Sequence, residues 1–126
     1  QIVSLSEFIN SVTISGGIAS CNYETSAIYL ISGTTGTNFT CALTNIPNNL
    51  TFRTFTITLI INSSTNKVYA NVLSVNGTNR TLLYNSGSSN IPTLTTATYI
   101  LQTISIVYTN NIITDPFCFT TVMPFF

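Results

Sequence analysis

The sequence predicts an all-β protein, and three features of its 126 residues support that prediction. Apolar and polar residues alternate along most of the chain, which is the period of a strand with one buried face. β-Branched residues dominate, and no window of about 11 residues has helical periodicity. Turn signals recur about every 8–12 residues, a spacing typical of an immunoglobulin-like antiparallel β-sandwich. Because the chain has no Trp, the Cys–Trp–Cys core of a true immunoglobulin domain is not expected.

The first predicted strand, residues 1–15, stops at Gly16 and Gly17. Chain ends fray unless something holds them, and a free apolar strand is an aggregation hazard. This strand is therefore expected either to join its own sheet or to complete the sheet of a neighbour. The predicted organisation is a strand at 1–15, a glycine hinge at 16–17 and one β-sandwich domain at 18–126. The side chains expected to dock the strand are Val3, Leu5, Ile9, Val12 and Ile14.

The next segments follow the same alternation. Residues 18–32 are predicted to form one long strand bent near 24–26, and the glycines at 33 and 36 mark a turn. Residues 37–43 form a strand with Phe39, Cys41 and Leu43 inward, followed by a loop at 44–50. Residues 51–61 give the clearest strand, because apolar side chains alternate there with threonine.

The second half of the chain is predicted to continue as hairpins. A loop at 62–66 leads to a strand at 67–75, and Asn76-Gly77 is a strong signal for a two-residue hairpin turn. Further strands are expected at 81–84, 98–109 and within 112–126, the last being aromatic and interrupted by two prolines. No internal repeat and no second domain are apparent.

The chain carries very little charge: three basic residues, three acidic residues and no His, or 5% of the sequence. An ordinary soluble domain is about a quarter charged; here Ser, Thr and Asn supply 52 of the 126 residues. Nucleic acid is not an expected partner, because no basic patch exists to neutralise phosphates. No apolar run reaches the roughly 18 residues of a membrane-spanning helix. The first residue is Gln, so we expect that an export signal has been removed.

Catalytic chemistry is not expected either. No serine or cysteine has a histidine to activate it. The acids Glu7, Glu24 and Asp115 are scattered over different segments, which does not suggest a carboxylate pair. Gly16-Gly17 lacks the spacing and the following helix of a phosphate-binding loop. The sequence therefore predicts a protein that is not an enzyme and has no cofactor or metal.

Five N-x-[ST] sequons point to an extracellular glycoprotein. Several sequons arise by chance in a chain this rich in Asn, Ser and Thr, but most of these lie in or beside predicted turns. A neutral surface covered in sugar stays soluble without charge. Asn79 stands so close to Asn76 that two glycans there would crowd each other. The predicted acceptors are Asn38, Asn49, Asn62, Asn76 and Asn79.

The three cysteines lack the spacing of a zinc site. In an oxidising compartment one disulfide plus one thiol is expected, or a bond to another chain. Cys21 and Cys41 are the first candidates for a bridge, because both lie on apolar faces of early strands. Pairing of Cys118 with either of them stays open.

The chain as a whole resembles the thread-type pilins of archaeal cell surfaces, on the basis of the N-terminal strand, the glycine pair, the sequons and the scarcity of charge. The resemblance implies a glycosylated subunit of an extracellular filament, joined head to tail to identical subunits by strand donation and serving adhesion or biofilm formation. It also implies a fold like that of bacterial type 1 chaperone–usher pilins, whose usual disulfide matches Cys21 and Cys41; Cys118 departs from that pattern. The alternative is a glycan-binding, capsid or surface-layer β-sandwich whose N-terminal strand pairs within its own chain.

Overall fold

A computed structural model describes residues 7–34, 36–47, 51–62, 68–84, 98–109 and 116–125. These residues form ten strands in two sheets, so the prediction of an all-β, sandwich-like fold is confirmed. The first sheet has the order β1-β3-β5-β9-β10-β8 and the second the order β2-β4-β6-β7. The strands are β1 Ile9–Thr13, β2 Ile18–Asn22, β3 Ile28–Ser32, β4 Phe39–Thr44, β5 Arg53–Asn62, β6 Ala70–Val75, β7 Thr78–Arg80, β8 Leu82–Tyr84, β9 Tyr99–Tyr108 and β10 Phe117–Phe125.

The first six strands alternate between the two sheets. Strands that are neighbours in a sheet are therefore second neighbours in sequence and run parallel: β1 with β3, β3 with β5, β2 with β4, and β4 with β6. The β8–β10 pair is also parallel. The predicted antiparallel arrangement holds only for β5–β9, β9–β10 and β6–β7. The described sheets thus differ from the antiparallel sheets of immunoglobulin domains.

The predicted strand at 18–32 is two strands in different sheets. The chain turns at residues 23–25, where the N–H of Glu24 bonds the Asn22 side chain at 3.0 Å and that of Thr25 bonds the Asn22 carbonyl at 3.1 Å. Alternation alone could not reveal this crossing, because β2 and β3 each bury alternate residues. The hairpin at Asn76-Gly77 is confirmed: it joins antiparallel β6 and β7, and both residues have positive φ.

The core lies between the two sheets and consists of the inward side chains of every long strand. β9 buries every second residue along its ten positions, and β5 does so from Ile57 to Ile61. Gln102 and Thr120 are buried polar exceptions. The fully buried large side chains are Tyr29, Ile31, Leu43, Ile57, Leu59, Ile61, Leu73, Ile100, Ile104, Ile106, Gln102 and Val68. In the described part of the chain, no helix is long and apolar enough to cross a membrane.

Candidate functional site

The N-terminal strand β1 pairs with its own chain in this structure. It lies at the edge of the six-stranded sheet, parallel to β3, with Ile9 opposite Ile28 and Thr13 opposite Ser32. The amide of Ile14 continues the pairing with a 2.9 Å hydrogen bond to the Ser32 carbonyl. The other long side of β1 has no neighbouring strand among the described residues. Among the described strands, β1 is therefore hydrogen-bonded to a neighbour along one edge only.

The side chains of β1 alternate between the core and the solvent, with the even-numbered residues inward. Val12 and Ile14 pack against the core, each partly buried. Ile9 is 57% exposed and Phe8 is 83% exposed. On a continuous strand, residues three apart face opposite sides, and Ile9 and Val12 do so here. Docking of Ile9, Val12 and Ile14 into another subunit stays a prediction. Val3 and Leu5 lie outside the described residues.

The turn at residues 25–26 holds the start of β1 through side chains. The Ser26 hydroxyl lies within hydrogen-bonding distance of the Phe8 carbonyl and accepts the amide of Ile28 at 3.0 Å. Asn10 Nδ2 donates to Thr25 Oγ1 at 2.5 Å. We call these contacts of Ser26 and Thr25 the β1 clasp. Polar contacts of this kind fix the position of the strand but bury little apolar surface.

The glycine pair forms a tight turn that carries the chain from one sheet to the other. The Ser15 amide donates to the Ile18 carbonyl at 3.0 Å, and the Ile18 amide donates to the Ser15 carbonyl at 3.1 Å. Gly16 and Gly17 have φ of 60° and 77°, a left-handed conformation that glycine adopts without strain. No atom outside the turn lies within 4 Å of where their Cβ atoms would be. The turn is thus exposed and held by few contacts.

A third glycine lies where β1 leaves the sheet. Gly33 has a φ of +77°, and a Cβ on it would lie 3.1 Å from Thr13 Cγ2 and 3.3 Å from the backbone N and O of Ile14. A side chain at position 33 would therefore have to displace Thr13 or Ile14 by a few tenths of an ångström. The sequence analysis placed a turn here but did not connect this glycine to β1.

The described sequon asparagines occupy different environments. Asn38 directly precedes β4, Asn62 ends β5 and Asn79 lies in β7; these three and Asn76 are all exposed. The Oδ1 of Asn38 accepts the Tyr69 amide at 3.1 Å. Asn76 instead pairs with Ile46: its Oδ1 accepts the Ile46 amide at 3.1 Å and its Nδ2 donates to the Ile46 carbonyl at 2.8 Å. Asn49 lies outside the described residues. Whether any of the five carries sugar stays a prediction.

The three cysteines are buried, and the structure has them as free thiols. Cys21 and Cys41 lie on neighbouring strands β2 and β4, where Cys21 is opposite Leu43 and Cys41 is opposite Ala19. A hydrogen bond with the Cys21 thiol, together with burial, raises the pKa of Cys41 well above its usual value. Cys118 lies on β10 of the other sheet, and burial raises its pKa to about 11 despite the nearby Arg80. The predicted bridge between Cys21 and Cys41 stays a prediction.

A small open pocket lies beside β7, β8 and the start of β10. Its volume is about 290 Å³. It contains one cationic group, Arg80, and one half-exposed aromatic ring, Phe117. The remaining lining residues are Asn79, Thr81, Leu83, Pro116 and Cys118. In the part of the chain that the structure describes, no three His, Cys, Asp or Glu residues lie close enough together to hold a metal ion.

Comparison with known proteins gives no relative: no protein-family model, no curated protein and no solved structure matches the chain. The functional argument therefore depends on the geometry of β1 and on the sequence.

Proposed function

We propose that this chain is a structural subunit of an extracellular filament, in which β1 of one subunit takes the place beside β3 of the next. The position of β1 supports the proposal. It is an edge strand whose apolar contacts with the core are made by the partly buried Val12 and Ile14, and it is joined to the domain through an exposed glycine turn. Such a strand can detach from β3 without disrupting the core.

Exchange of β1 between chains would replace each contact by an identical one. Backbone hydrogen bonds to β3, the clasp at Thr25 and Ser26 and the packing of Val12 and Ile14 would all be made again in the neighbour. The swap of an identical element is a low-cost route to association. The donated strand β1 and the exposed edge of β3 are different surfaces of the subunit. The contact is therefore heterologous and propagates as a fibre.

The composition suits an extracellular location. Five sequons and a surface of hydroxyl and amide groups with 5% charge are consistent with a glycosylated filament that serves adhesion or biofilm formation. The proposal assigns no catalytic activity and no cofactor, because the chain has no histidine and its few carboxylates are dispersed. The resemblance to thread-type pilins agrees with this assignment, although the parallel pairing of most strands departs from an immunoglobulin-like arrangement.

A second candidate function is a glycan-binding, capsid or surface-layer module in which β1 stays in its own chain. Two observations favour it: β1 pairs with β3 of the same chain, and the pocket beside Arg80 combines a cation, amide and hydroxyl groups and an aromatic ring. Polar groups placed beside an aromatic face can orient a sugar. This candidate requires no exchange of strands.

Cysteine cross-linking separates the two candidates. Ser11 and Leu30 lie directly opposite each other on β1 and β3, at the separation of neighbouring strands that a disulfide can span. A chain that carries Ser11→Cys and a chain that carries Leu30→Cys are co-expressed, and the assembled protein is oxidised. Strand exchange places β1 of one chain beside β3 of another, so it gives a disulfide between the two polypeptides that neither single variant forms alone.

Filament assembly predicts a cross-linked heterodimer on a non-reducing gel, and a ladder when both substitutions are in one chain. The matched control combines Ser11→Cys with Val72→Cys, which lies on the other sheet, and should give no cross-link. A double variant that is cross-linked only within single chains, with no product from the mixed pair, would exclude strand exchange and leave the second candidate.

A further inference from the structure

The six-stranded sheet presents a side to solvent that we call the outer face, formed by the outward residues of β1, β3, β5, β9, β10 and β8. One row of this face is apolar across four consecutive strands. Leu30 is opposite Ile60, Ile60 is opposite Leu101 and Leu101 is opposite Met123. Leu30 is 38% exposed and Met123 is 52% exposed. These side chains have no cover in the described structure.

Aromatic residues extend the apolar character on both sides of this row. Phe125 lies opposite Tyr99 at one end of the β9–β10 pair, and the rings of Phe117 and Phe119 stack 6.2 Å apart at the other. The rows between them are threonine and serine, among them Thr58 opposite Thr103 and Thr103 opposite Thr121. The outward positions of these six strands carry no charge; Arg53, at the start of β5, is exposed but lies on the inward side of the strand, opposite Tyr108. Covering this face would therefore desolvate no ionised group.

We propose that the outer face is an interface between two copies of this chain, packed face to face. The area fits this partner: at about 4.8 Å between strands and 3.3 Å per residue, the six strands cover roughly 650 Å². Two copies would bury roughly 1,300 Å² in total, within the range of a specific protein–protein interface. Two sheets can pack this way at about 10 Å separation with their strands nearly aligned.

The chemistry of the face also fits a second copy. Interface cores are depleted of charge and enriched in Tyr, Phe and Met, and the outer face has all three of these residue types and no charge. A two-fold axis would place the apolar row against itself, which gives a self-complementary contact. An anionic lipid surface fits less well, because the face offers no Lys or Arg to the headgroups.

The sequons leave this face accessible. Asn76 and Asn79 lie at or in β7, and Asn38 directly precedes β4, so all three belong to the four-stranded sheet. Asn62 is the last residue of β5, opposite Tyr99 at the rim of the outer face. Of the described sequons, Asn62 would therefore place a glycan at the edge of the interface, and none lies at its centre. The inference does not depend on strand exchange, since the outer face and the edge beside β3 are different surfaces.

Sedimentation velocity of the full chain tests the interface at protein concentrations from about 1 μM to about 1 mM. The wild-type chain should show a reversible monomer–dimer equilibrium that dissociates in SDS without heating, unlike a strand-exchanged polymer. Met123→Lys should weaken the dimer by about tenfold or more, because the interface would have to bury a charge without a partner. Thr103→Lys, at the centre of the face, gives a second variant if the first folds poorly by circular dichroism.

The control is Val72→Lys, which adds the same charge at a 38% exposed apolar residue of the other sheet. It should leave the equilibrium unchanged. If the chain polymerises, the same variants are compared by electron microscopy, where wild type and Val72→Lys should form side-by-side bundles and Met123→Lys single filaments. Wild type that stays monomeric or unbundled over the whole range, or equal effects of Val72→Lys and Met123→Lys, would overturn the proposal. Binding of the face to glycan or lipid without self-association would overturn it as well.

Discussion

The carboxamide of Gln102 pairs with both backbone groups of Ala70. Its Oε1 accepts the Ala70 amide and its Nε2 donates to the Ala70 carbonyl, each at 2.8 Å. Gln102 lies on β9 and Ala70 on β6, so this contact joins the two sheets through the core. The register between β4 and β6 shifts here, since Phe39 faces Ala70 while Thr40 faces Val72. The glutamine thus satisfies backbone groups at an irregularity in the ladder.

Replacing Gln102 by Leu should destabilise the fold by roughly 2–5 kcal/mol. The substitution keeps a large side chain but leaves the buried N–H and C=O of Ala70 without partners, and each such group costs about 1–3 kcal/mol. Thr120 also loses its 3.2 Å bond from Gln102 Nε2. Urea unfolding measures the change. The control is Thr103→Val on the outward side of the same strand, and an equal loss in both variants would contradict this role of Gln102.

Asn76 makes the same two-point contact with Ile46, and we expect it to carry less sugar than Asn38, Asn62 and Asn79. Its Oδ1 and Nδ2 both bond one residue, so the amide hydrogen on the side of Oδ1 faces the Ile46 carbonyl. An N-glycan replaces that hydrogen in a trans amide, which would break the bond. Glycopeptide mass spectrometry of protein from its native source measures the occupancy. Full occupancy at Asn76 would show that the contact with Ile46 is dispensable.

The sequence predicted most of the strands but not their partners, and it merged β2 and β3 into one strand. Alternation identified β5 and β9 and the inward faces of Phe39, Cys41 and Leu43, because burial on one side of a strand leaves a period of two. The order of strands depends on whether each turn returns to the same sheet or crosses to the other. The turn at residues 23–25 crosses and the turn at Asn76-Gly77 returns, and only the second has a recognised sequence signature.

The candidate site was predicted in part. The N-terminal strand and its glycine pair were identified as a unit from composition and pattern. The clasp was not, because Ser26 and Thr25 are ordinary polar residues whose role depends on where β1 comes to lie. The same holds for Gln102, which alternation places inward but which nothing in the sequence connects to Ala70. Contacts between segments distant in sequence have no local pattern to reveal them.

Gly33→Ala should weaken the pairing between the end of β1 and β3. A methyl group at position 33 would lie 3.1 Å from Thr13 Cγ2 and crowd the backbone of Ile14, in addition to the strain of a φ of +77°. Gly77→Ala is the matched control, since its φ is +87° but nothing lies within 4 Å of the added Cβ. Both should cost about 1–3 kcal/mol from backbone strain. Only Gly33→Ala should speed hydrogen exchange at the Ile14 amide, and equal exchange in the two variants would argue against the close approach.

Stability should fall at alkaline pH. Burial raises the pKa of Cys118 to about 11, above the ordinary thiol value, and raises the pKa of Tyr84 and Tyr108 as well. Below the ordinary value, both folded and unfolded chains hold these protons and stability is constant. As the pH rises toward 11, the unfolded chain loses the Cys118 proton first, so the free energy of unfolding decreases, by roughly 2–3 kcal/mol for this thiol. Urea midpoints between pH 7 and pH 11 test this, with a shallower decline expected for Cys118→Ala.

Oxidation should join Cys21 to Cys41 and leave Cys118 as a thiol. The first two thiols lie on neighbouring strands of one sheet, whereas Cys118 lies on β10 of the other. The register offsets the pair by two residues, which puts their Cα atoms roughly 8 Å apart, so the bridge requires backbone movement of β2 relative to β4. The raised pKa of Cys41 makes the folded thiol a poor nucleophile, so we expect the bridge to form during folding rather than after it.

Non-reducing peptide mapping of protein refolded in the presence and absence of an oxidant identifies the bridge. Refolding with oxidant should give the Cys21–Cys41 peptide, and addition of oxidant to the folded, reduced protein should give little of it. Cys118→Ala serves as the control, because it removes the third thiol and should leave the yield of that peptide unchanged. A bridge that contains Cys118, or loss of the Cys21–Cys41 peptide in Cys118→Ala, would show that the chain pairs its cysteines across the two sheets instead.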